Sequence, residues 1–164
     1  MPNITLREID KTNYRVIGRL SHTLSPEQQT WVAHNAMSMM DAHYGFGDDR
    51  VKLTVRGIYA DDEPVGLVLW GSFPEGFPAV TDQTGVQWWV VRLMTAAAHQ
   101  GKGYGRAAMQ YIIDDVRSRG AEALYISFVP GNDVARKLYE SLGFVDTGEV
   151  DDGEVVYRLD LKAT

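Results

Sequence analysis

The sequence has no cysteine, no long apolar run and fewer basic than acidic residues. The absence of cysteine excludes disulfides, thiolate zinc sites and a cysteine nucleophile. Because there is neither an apolar run of about 18 residues nor a signal-peptide pattern, we expect no membrane partner and a cytoplasmic location. The net charge of −6 and the pI near 5.1 argue against a nucleic-acid partner, since phosphate contacts require a basic surface.

The histidines are also not arranged as metal ligands. His34 and His43 lack the i, i+4 spacing of a helical zinc site, and His22 and His99 stand apart from both. We therefore expect no metal.

The chain is long enough for one hydrophobic core, and its 164 residues predict a single domain over residues 1–164. Alternation and β-branched residues predict strands, and apolar residues at helical spacing predict helices. The result is an α+β chain with a mixed central sheet of about seven strands and about four helices. Strands are predicted at 4–9, 53–59, 65–73, 87–94, 123–129, 145–150 and 155–161, and a loop or irregular crossover at 74–85.

Helix starts are marked by capping residues. Thr12 is a candidate N-cap for a helix to about residue 20, and Asn132 for one over 132–142. The sequence Ser-Pro-Glu-Gln from Ser25 predicts a helix that carries Trp31. A further helix over 35–44 has an apolar stripe that we expect to be core, formed by Met37, Met40 and Tyr44.

A glycine-rich stretch over residues 100–106 connects the strand at 87–94 to an amphipathic helix. At a helix N-terminus, unpaired backbone N–H groups and the helix dipole converge, so a pyrophosphate is the natural occupant. A tight turn without a ligand is the alternative. The spacing is neither that of a P-loop nor G-x-G-x-x-G, which argues against a dinucleotide-binding oxidoreductase.

Two motifs resemble one family. Gln100-x-x-Gly103-x-Gly105 resembles the Q/R-x-x-G-x-G/A pyrophosphate loop of the GCN5-related N-acetyltransferases (GNAT), and residues 132–144 are similar to that family's N-x-x-A-x-x-x-Y-x-x-x-G-F segment. Within the family the chain looks most like bacterial spermine/spermidine (diamine) acetyltransferases. That likeness rests on Trp70-Gly71-x-Phe73-Pro74-Glu75, Arg92, Gly148-Glu149 and Gly153-Glu154-Val155.

The resemblance implies the GNAT fold, acetyl-CoA as cofactor and a set of site residues. The backbone of Leu93, Met94 and Thr95 would bond the pantetheine arm, and an N–H near Met94 would face the thioester oxygen. Asn132 would bond the pantetheine region, and Tyr139 would be the general acid for the thiolate. The pyrophosphate would lie on the loop formed by Gln100, Gly101, Lys102, Gly103, Tyr104, Gly105 and Arg106.

These residues also have plainer interpretations. Asn132 is a good N-cap, and both of its roles can hold through different atoms. Tyr139 lies at core periodicity, and the side chains of Lys102 and Arg106 are equally compatible with solvation.

The general base is left open by the sequence. An amine with a pKa near about 10 must lose a proton before it attacks a thioester, and without cysteine we expect direct transfer in a ternary complex. In polyamine acetyltransferases an acidic residue precedes the position of Arg92, but here that place holds Val91. Glu75 is the first candidate carboxylate, followed by Glu27 and Asp41, and a water chain is an equal alternative.

Strand parity puts Trp89, Val91 and Leu93 on one face, where they would form a wall beside the acceptor. Trp31, Glu75 and Trp89 are the candidate substrate contacts.

The sequence thus predicts an acetyl-CoA-dependent N-acetyltransferase for a primary amine of a small molecule, with a polyamine as one candidate. The alternatives are a protein or peptide N-acetyltransferase and a non-catalytic acyl-CoA-binding module. Because members of this family often dimerise, a homodimer is an expectation.

Overall fold

The chain forms one mixed seven-stranded sheet in the order β1-β2-β3-β4-β5-β7-β6. A computed structural model describes residues 1–77 and 84–162. The predicted α+β architecture is confirmed. The strands are β1 (Ile4–Glu8), β2 (Lys52–Ala60), β3 (Glu63–Phe73), β4 (Gln87–Thr95), β5 (Ala123–Phe128), β6 (Val145–Asp151) and β7 (Glu154–Asp160), and the α-helices are α1 (Tyr14–Leu20), α2 (Asn35–Tyr44), α3 (Tyr104–Ser118) and α4 (Asp133–Ser141).

The sheet splits between β4 and β5, its one parallel pair. These strands pair only from Trp88 opposite Leu124 to Val90 opposite Ile126, whereas the other neighbouring strands are antiparallel. Beyond Val90 the two strands diverge. The last residues of β4 therefore present backbone groups on the β5 side without a ladder partner, and a gap opens between the strands.

A β-bulge at Val91 changes the facing of β4 at the edge of this gap. Leu69 pairs with Arg92 and Trp70 with Val90, so Val91 is the extra residue. Leu93 consequently packs with Val90 in one apolar cluster, while Trp89 and Val91 pack in another. The prediction that Trp89, Val91 and Leu93 share a face is wrong for Leu93, because strict alternation fails across a bulge.

Helices cover both faces of the sheet. Leu67 and Val68 are adjacent on β3 and point to opposite faces. Leu67 packs with Ile17 of α1, and Val68 packs with α3. The apolar face predicted for α3 is buried, and it consists of Met109, Ile112, Ile113 and Val116.

The helix predicted from Ser25 is only a single 3₁₀ turn, Gln28–Thr30. Its start signal works as expected, since Ser25 N donates to Gln28 Oε1 and Gln28 N donates to Ser25 Oγ, both at 3.2 Å. The turn ends at Trp31, and by His34 the backbone is extended with ψ at 145°. A local cap alone does not extend a helix, because tertiary packing supplies most helical stability.

Helix α2 has the predicted bounds but the opposite buried face. Met37, Met40 and Tyr44 are 52%, 53% and 63% exposed, whereas Asn35 and Ser38 are buried. The Asn35 amide donates a 2.7 Å hydrogen bond to a main-chain carbonyl of α1, so a polar contact sets the orientation of the helix. The expectation that the apolar stripe is core is therefore wrong.

The start of α1 and the loop at 74–85 complete the comparison with the predicted elements. Helix α1 begins after Asn13 rather than Thr12, and Asp10 accepts hydrogen bonds from both the backbone and the hydroxyl of Thr12. The loop predicted at 74–85 lies partly outside the described residues. None of the helices in the described ranges is long and apolar enough to cross a bilayer.

Candidate active site

Two cavities open at the split between β4 and β5. The first, of about 290 Å³, lies along the end of β4 and the start of α3. The second, of about 820 Å³, lies between β4, β5 and the turn that joins β6 to β7. The same residues line part of both cavities, so the two spaces meet at Trp31, Val32, Leu93, Asn132, Ala135 and Tyr139.

The glycine loop forms one wall of the first cavity. Gly101 and Gly103 have φ of 74° and 84°, a left-handed conformation that glycine adopts without strain. The first intrahelical bond of α3 runs from Ala107 N to Gly103 O at 3.1 Å. Within the described structure, the N–H groups of residues 101–106 donate no backbone or side-chain hydrogen bond. They are thus available to an anion at the positive end of the α3 dipole.

Side-chain contacts hold this loop in place. Gln100 Nε2 donates to Thr95 O at 3.0 Å, and Gln28 Nε2 donates to Gln100 Oε1 at 3.1 Å. Arg106 donates to the Ser141 hydroxyl of α4. Lys102 is exposed and is not among the residues that line either cavity.

The end of β4 forms the opposite wall of the first cavity. Leu93, Met94 and Thr95 all line it, and they follow the point where pairing with β5 ends. Thr95 O already accepts from Gln100 Nε2, and the other backbone groups on that side have no strand partner, so they can bond an extended ligand as an added strand would.

Asn132 lies where the two cavities meet. Its Oδ1 accepts a 3.2 Å hydrogen bond from Ala135 N and caps helix α4. The capping interpretation therefore holds, and it uses only the oxygen. The amide nitrogen remains available as a donor toward the cavities.

Tyr139 is the most buried polar side chain at this junction, with 6% of its surface exposed. Its ring packs on Phe128 and Phe144, with ring centroids 5.6 and 6.0 Å apart. No hydrogen-bond partner for its hydroxyl is found in the described part of the chain. Burial, followed by the negative charge of Glu154, raises the pKa of Tyr139 well above its ordinary value, so the hydroxyl stays protonated at neutral pH.

The second cavity has an aromatic wall. Phe73 stacks with Phe46 and with Phe77, at centroid separations of 6.2 and 5.5 Å. Trp89 is buried, stacks on Tyr125 at 5.2 Å and donates through Nε1 to a neighbouring glutamine side chain of β4. An apolar chain of a ligand would be well accommodated against these rings.

The other wall of the second cavity is acidic. Asp151 pairs with Glu154 across a tight turn in which Asp152 and Gly153 have φ of 48° and 81°. Asp-Gly at the centre of a two-residue hairpin favours this conformation. Asp151, Asp152 and Glu154 all line the cavity, and among the residues that the structure describes Arg92 is its one basic lining residue.

Glu154 is partly buried, and its environment favours the neutral form. Burial contributes most to raising the pKa of Glu154, and the charges of Asp151 and Asp152 add to it. Arg92 and a hydrogen bond from the Ser127 hydroxyl act in the opposite direction. The net pKa of this carboxyl is therefore above its usual range, which makes it a better proton acceptor than an exposed glutamate.

Comparison with known proteins identifies the family. Residues 9–144 match the family model described as Acetyltransferase (GNAT) family. This chain belongs to the GNAT family. Its seven-stranded mixed sheet with four helices is the GNAT fold.

One relative and two solved structures illustrate the likeness. The spermine/spermidine N(1)-acetyltransferase of Bacillus subtilis (strain 168) is 30% identical over 102 residues, which cover 61% of this chain and 65% of that protein. The chain thus matches just under two thirds of the length of this relative.

The solved structures share the fold at low identity. The PaiA N-acetyltransferase of Thermoplasma acidophilum in complex with coenzyme A has a TM-score of 0.66 at 12% identity, covering 96% of this chain and 99% of its own. Naa50 of Arabidopsis thaliana in complex with the bisubstrate analogue CoA-Ac-MVNAL has a TM-score of 0.67 at 17% identity, covering 96% and 98%.

The GNAT fold brings most of the predicted site residues together. Of the cofactor set, Lys102 alone does not line the first cavity. Tyr139 and Trp31 line both cavities, and Trp89 lines the second.

The carboxylates predicted as bases are placed elsewhere. Glu75 and Glu27 are exposed and line neither cavity. Asp41 is half-buried and bound to Arg92 at 2.5 Å, so it serves as an ion-pair partner. The sequence does not place Glu154 at the second cavity, because Asp-Asp-Gly-Glu predicts only a hairpin turn. Its position there depends on the sheet order, in which β7 lies beside β5.

Proposed function

We propose that this protein is an acetyl-CoA-dependent N-acetyltransferase that acetylates a primary amine of a small cationic molecule. Transfer is direct, with both substrates bound at once. The observation that carries this proposal is the meeting of two cavities at Tyr139, one bordered by unpaired backbone N–H groups and the other by carboxylates. The activities for which the related proteins are named support this proposal only by analogy.

The first cavity suits coenzyme A. The N–H groups of residues 101–106 would hold the pyrophosphate at the start of α3. The backbone of Leu93, Met94 and Thr95 and the amide nitrogen of Asn132 would bond the pantetheine arm. When bound, acetyl-CoA supplies an acyl thioester with an electrophilic carbonyl carbon.

Tyr139 is the proposed acid. Its hydroxyl keeps a proton at neutral pH, and because Tyr139 lines both cavities the hydroxyl would donate to the sulfur as the thiolate forms. A buried donor aimed at developing negative charge is worth more than the same donor in water, because the low dielectric strengthens the interaction.

The second cavity suits a cationic amine with an apolar chain. Asp151, Asp152 and Glu154 give it a negative rim, and the charge of its lining Arg92 is offset by Asp41. The aromatic wall would contact the methylene groups between amines. A polyamine combines these features, and the Bacillus relative is named for such substrates.

Thiol release from acetyl-CoA tests the proposal against spermidine, spermine, short diamines, amino acids, aminoglycosides and a peptide with a free N-terminus. We expect turnover with the diamines and polyamines and much less with acidic amino acids. Turnover restricted to the peptide would instead assign a protein N-acetyltransferase. Tight acetyl-CoA binding without any turnover would refute the enzymatic proposal and leave a non-catalytic binding module.

A further inference from the structure

The acceptor cavity needs a proton acceptor, and the strand expected to supply one does not. Val91 occupies the bulge of β4, where the resemblance to polyamine acetyltransferases predicts an acidic residue. The described carboxylates that line this cavity come from the β6–β7 turn instead.

We infer that Glu154, at the first position of β7, is the general base that deprotonates the acceptor amine. The inference rests on the proposed function and adds to it the residue that prepares the nucleophile.

The position of Glu154 is set by the sheet. Val155, its neighbour on β7, pairs with Phe128 at the end of β5, so Glu154 lies at the mouth of the split. The Asp152–Gly153 turn sets the start of β7 there, and Ser127 of β5 lines the same cavity as Glu154.

Tyr139 supplies an independent indication that a ligand belongs between the two groups. Its hydroxyl is carried by a side chain that is more than nine-tenths buried and has no protein partner in the described structure. Glu154 lines the same cavity and is close enough for its charge to act on Tyr139. Amine acylation requires both a base and an acid, and this one cavity is lined by a candidate for each.

The proton and electron balance is simple. Glu154 takes one proton from the ammonium, which frees the nitrogen lone pair to form the C–N bond to the acetyl carbon. The C–S bond breaks and its electron pair goes to sulfur. Tyr139 gives its proton to the sulfur and regains one from the nitrogen, while the last proton stays on the amide. Glu154 then releases its proton to solvent at the turn.

The surrounding charges suit this role. Asp151 and Asp152 raise the pKa of Glu154, and Arg92, itself bound to Asp41, lowers it. Each unit by which the carboxyl pKa approaches that of the amine makes the proton transfer about tenfold less unfavourable.

The experiment compares wild type with Glu154→Gln, using a diamine and an amino-acid amide as acceptors. Glu149→Gln in the same hairpin is the matched control, because it makes the same chemical change outside both cavities. We expect kcat/KM for the diamine to fall about 10²–10⁴-fold at pH 7 in Glu154→Gln, with acetyl-CoA affinity unchanged. Glu154→Asp should keep part of the activity.

A pH profile separates a base from a structural group. In wild type, activity should rise as Glu154 ionises, and that limb should be missing in Glu154→Gln. The defect should shrink at high pH, where the free amine is more abundant. The defect should also be smaller with the amino-acid amide as acceptor, because the α-amino group of that compound has a pKa of about 8.

Thermal unfolding provides the second readout. Since the pKa of Glu154 is raised in the fold, the native state favours the neutral carboxyl, and ionising Glu154 destabilises that state. The contribution of the neutral carboxyl to stability is complete below the pKa of Glu154 in the unfolded chain and is lost as pH rises through its pKa in the fold. Glu154→Gln should therefore unfold at the same or a higher temperature than wild type at pH 8.

Three results would overturn the inference. If wild type turns over and Glu154→Gln has a kcat/KM within about threefold of wild type, Glu154 is not the general base, but the proposed function stands. An unchanged pH profile, or a fall in both unfolding temperature and acetyl-CoA affinity, would assign a structural role. Absence of wild-type turnover with every amine would refute the proposed function itself.

Discussion

Replacing Tyr139 with phenylalanine removes one oxygen from the junction of the two cavities and almost nothing else. The ring contacts with Phe128 and Phe144 involve the aromatic ring, which phenylalanine keeps. The lost hydroxyl has no hydrogen-bond partner in the residues that the structure describes. The substitution therefore isolates the proposed chemical role from packing.

The expected magnitudes differ sharply for stability and catalysis. Because no intramolecular hydrogen bond is lost, the free energy of unfolding should change by no more than about 0.5 kcal/mol. Loss of a positioned proton donor should lower kcat about 10²–10⁴-fold, or about 3–5 kcal/mol of transition-state stabilisation. Tyr139→Ala, by contrast, should also destabilise the fold by about 3–5 kcal/mol, because it empties a buried site.

Thiol release at saturating acetyl-CoA gives kcat, and calorimetric titration gives the dissociation constant of acetyl-CoA. We expect Tyr139→Phe to lose kcat while its acetyl-CoA affinity and unfolding temperature stay near wild type. Because the pKa of Tyr139 is raised, wild type should show no loss of activity from ionisation of Tyr139 up to about pH 9. A kcat within tenfold of wild type would refute the assignment of Tyr139 as the acid.

Two further predictions concern the cofactor cavity. Asn132→Ala should lower the free energy of unfolding by about 1 kcal/mol and weaken acetyl-CoA binding. Asn132→Asp should keep the cap to Ala135 and lose only the amide donor. Urea unfolding measures the effect on stability, and calorimetric titration measures the effect on acetyl-CoA binding. Gly103→Ala should cost about 1 kcal/mol and weaken acetyl-CoA binding, because φ is 84°. Gly105→Ala should be tolerated in both measurements, since the atom nearest to its new Cβ would be 3.7 Å away.

The loop, strand end and helix that border the proposed cofactor cavity were predictable because their signals are local. A strand rich in β-branched and aromatic residues, three glycines and a four-residue apolar face on α3 follow one another within a short stretch of chain. The proposed anion site consists of backbone N–H groups, so the position of the loop before the helix decides its geometry with little help from tertiary contacts. Asn132 illustrates the same point, since its cap is a contact between near neighbours.

Helix α2 and the bulge on β4 were not predictable, because nonlocal pairing decides them. The apolar spacing of Met37, Met40 and Tyr44 is a regular helical signal, yet the buried hydrogen bond of Asn35 to α1 turns that stripe outward. Likewise, the facing of Leu93 depends on which residues of β3 pair with β4. Neither partner can be identified from the helix or strand alone.

The general base shows why motif position is a weaker guide than sheet order for the acceptor side. The proposed base is a carboxylate that must border the split. One side of the split is β4, and the other side is β5 together with its antiparallel neighbour β7. Because Val91 stands at the β4 bulge, the β4 side has no carboxylate at that position, but the split itself stays open. The start of β7 reaches the same space because its pairing with β5 begins at Val155, one residue after Glu154. The order of the strands therefore brings Glu154 to the cavity, whereas Glu75, at the end of the Trp70–Glu75 segment that resembles polyamine acetyltransferases, is exposed and lines neither cavity.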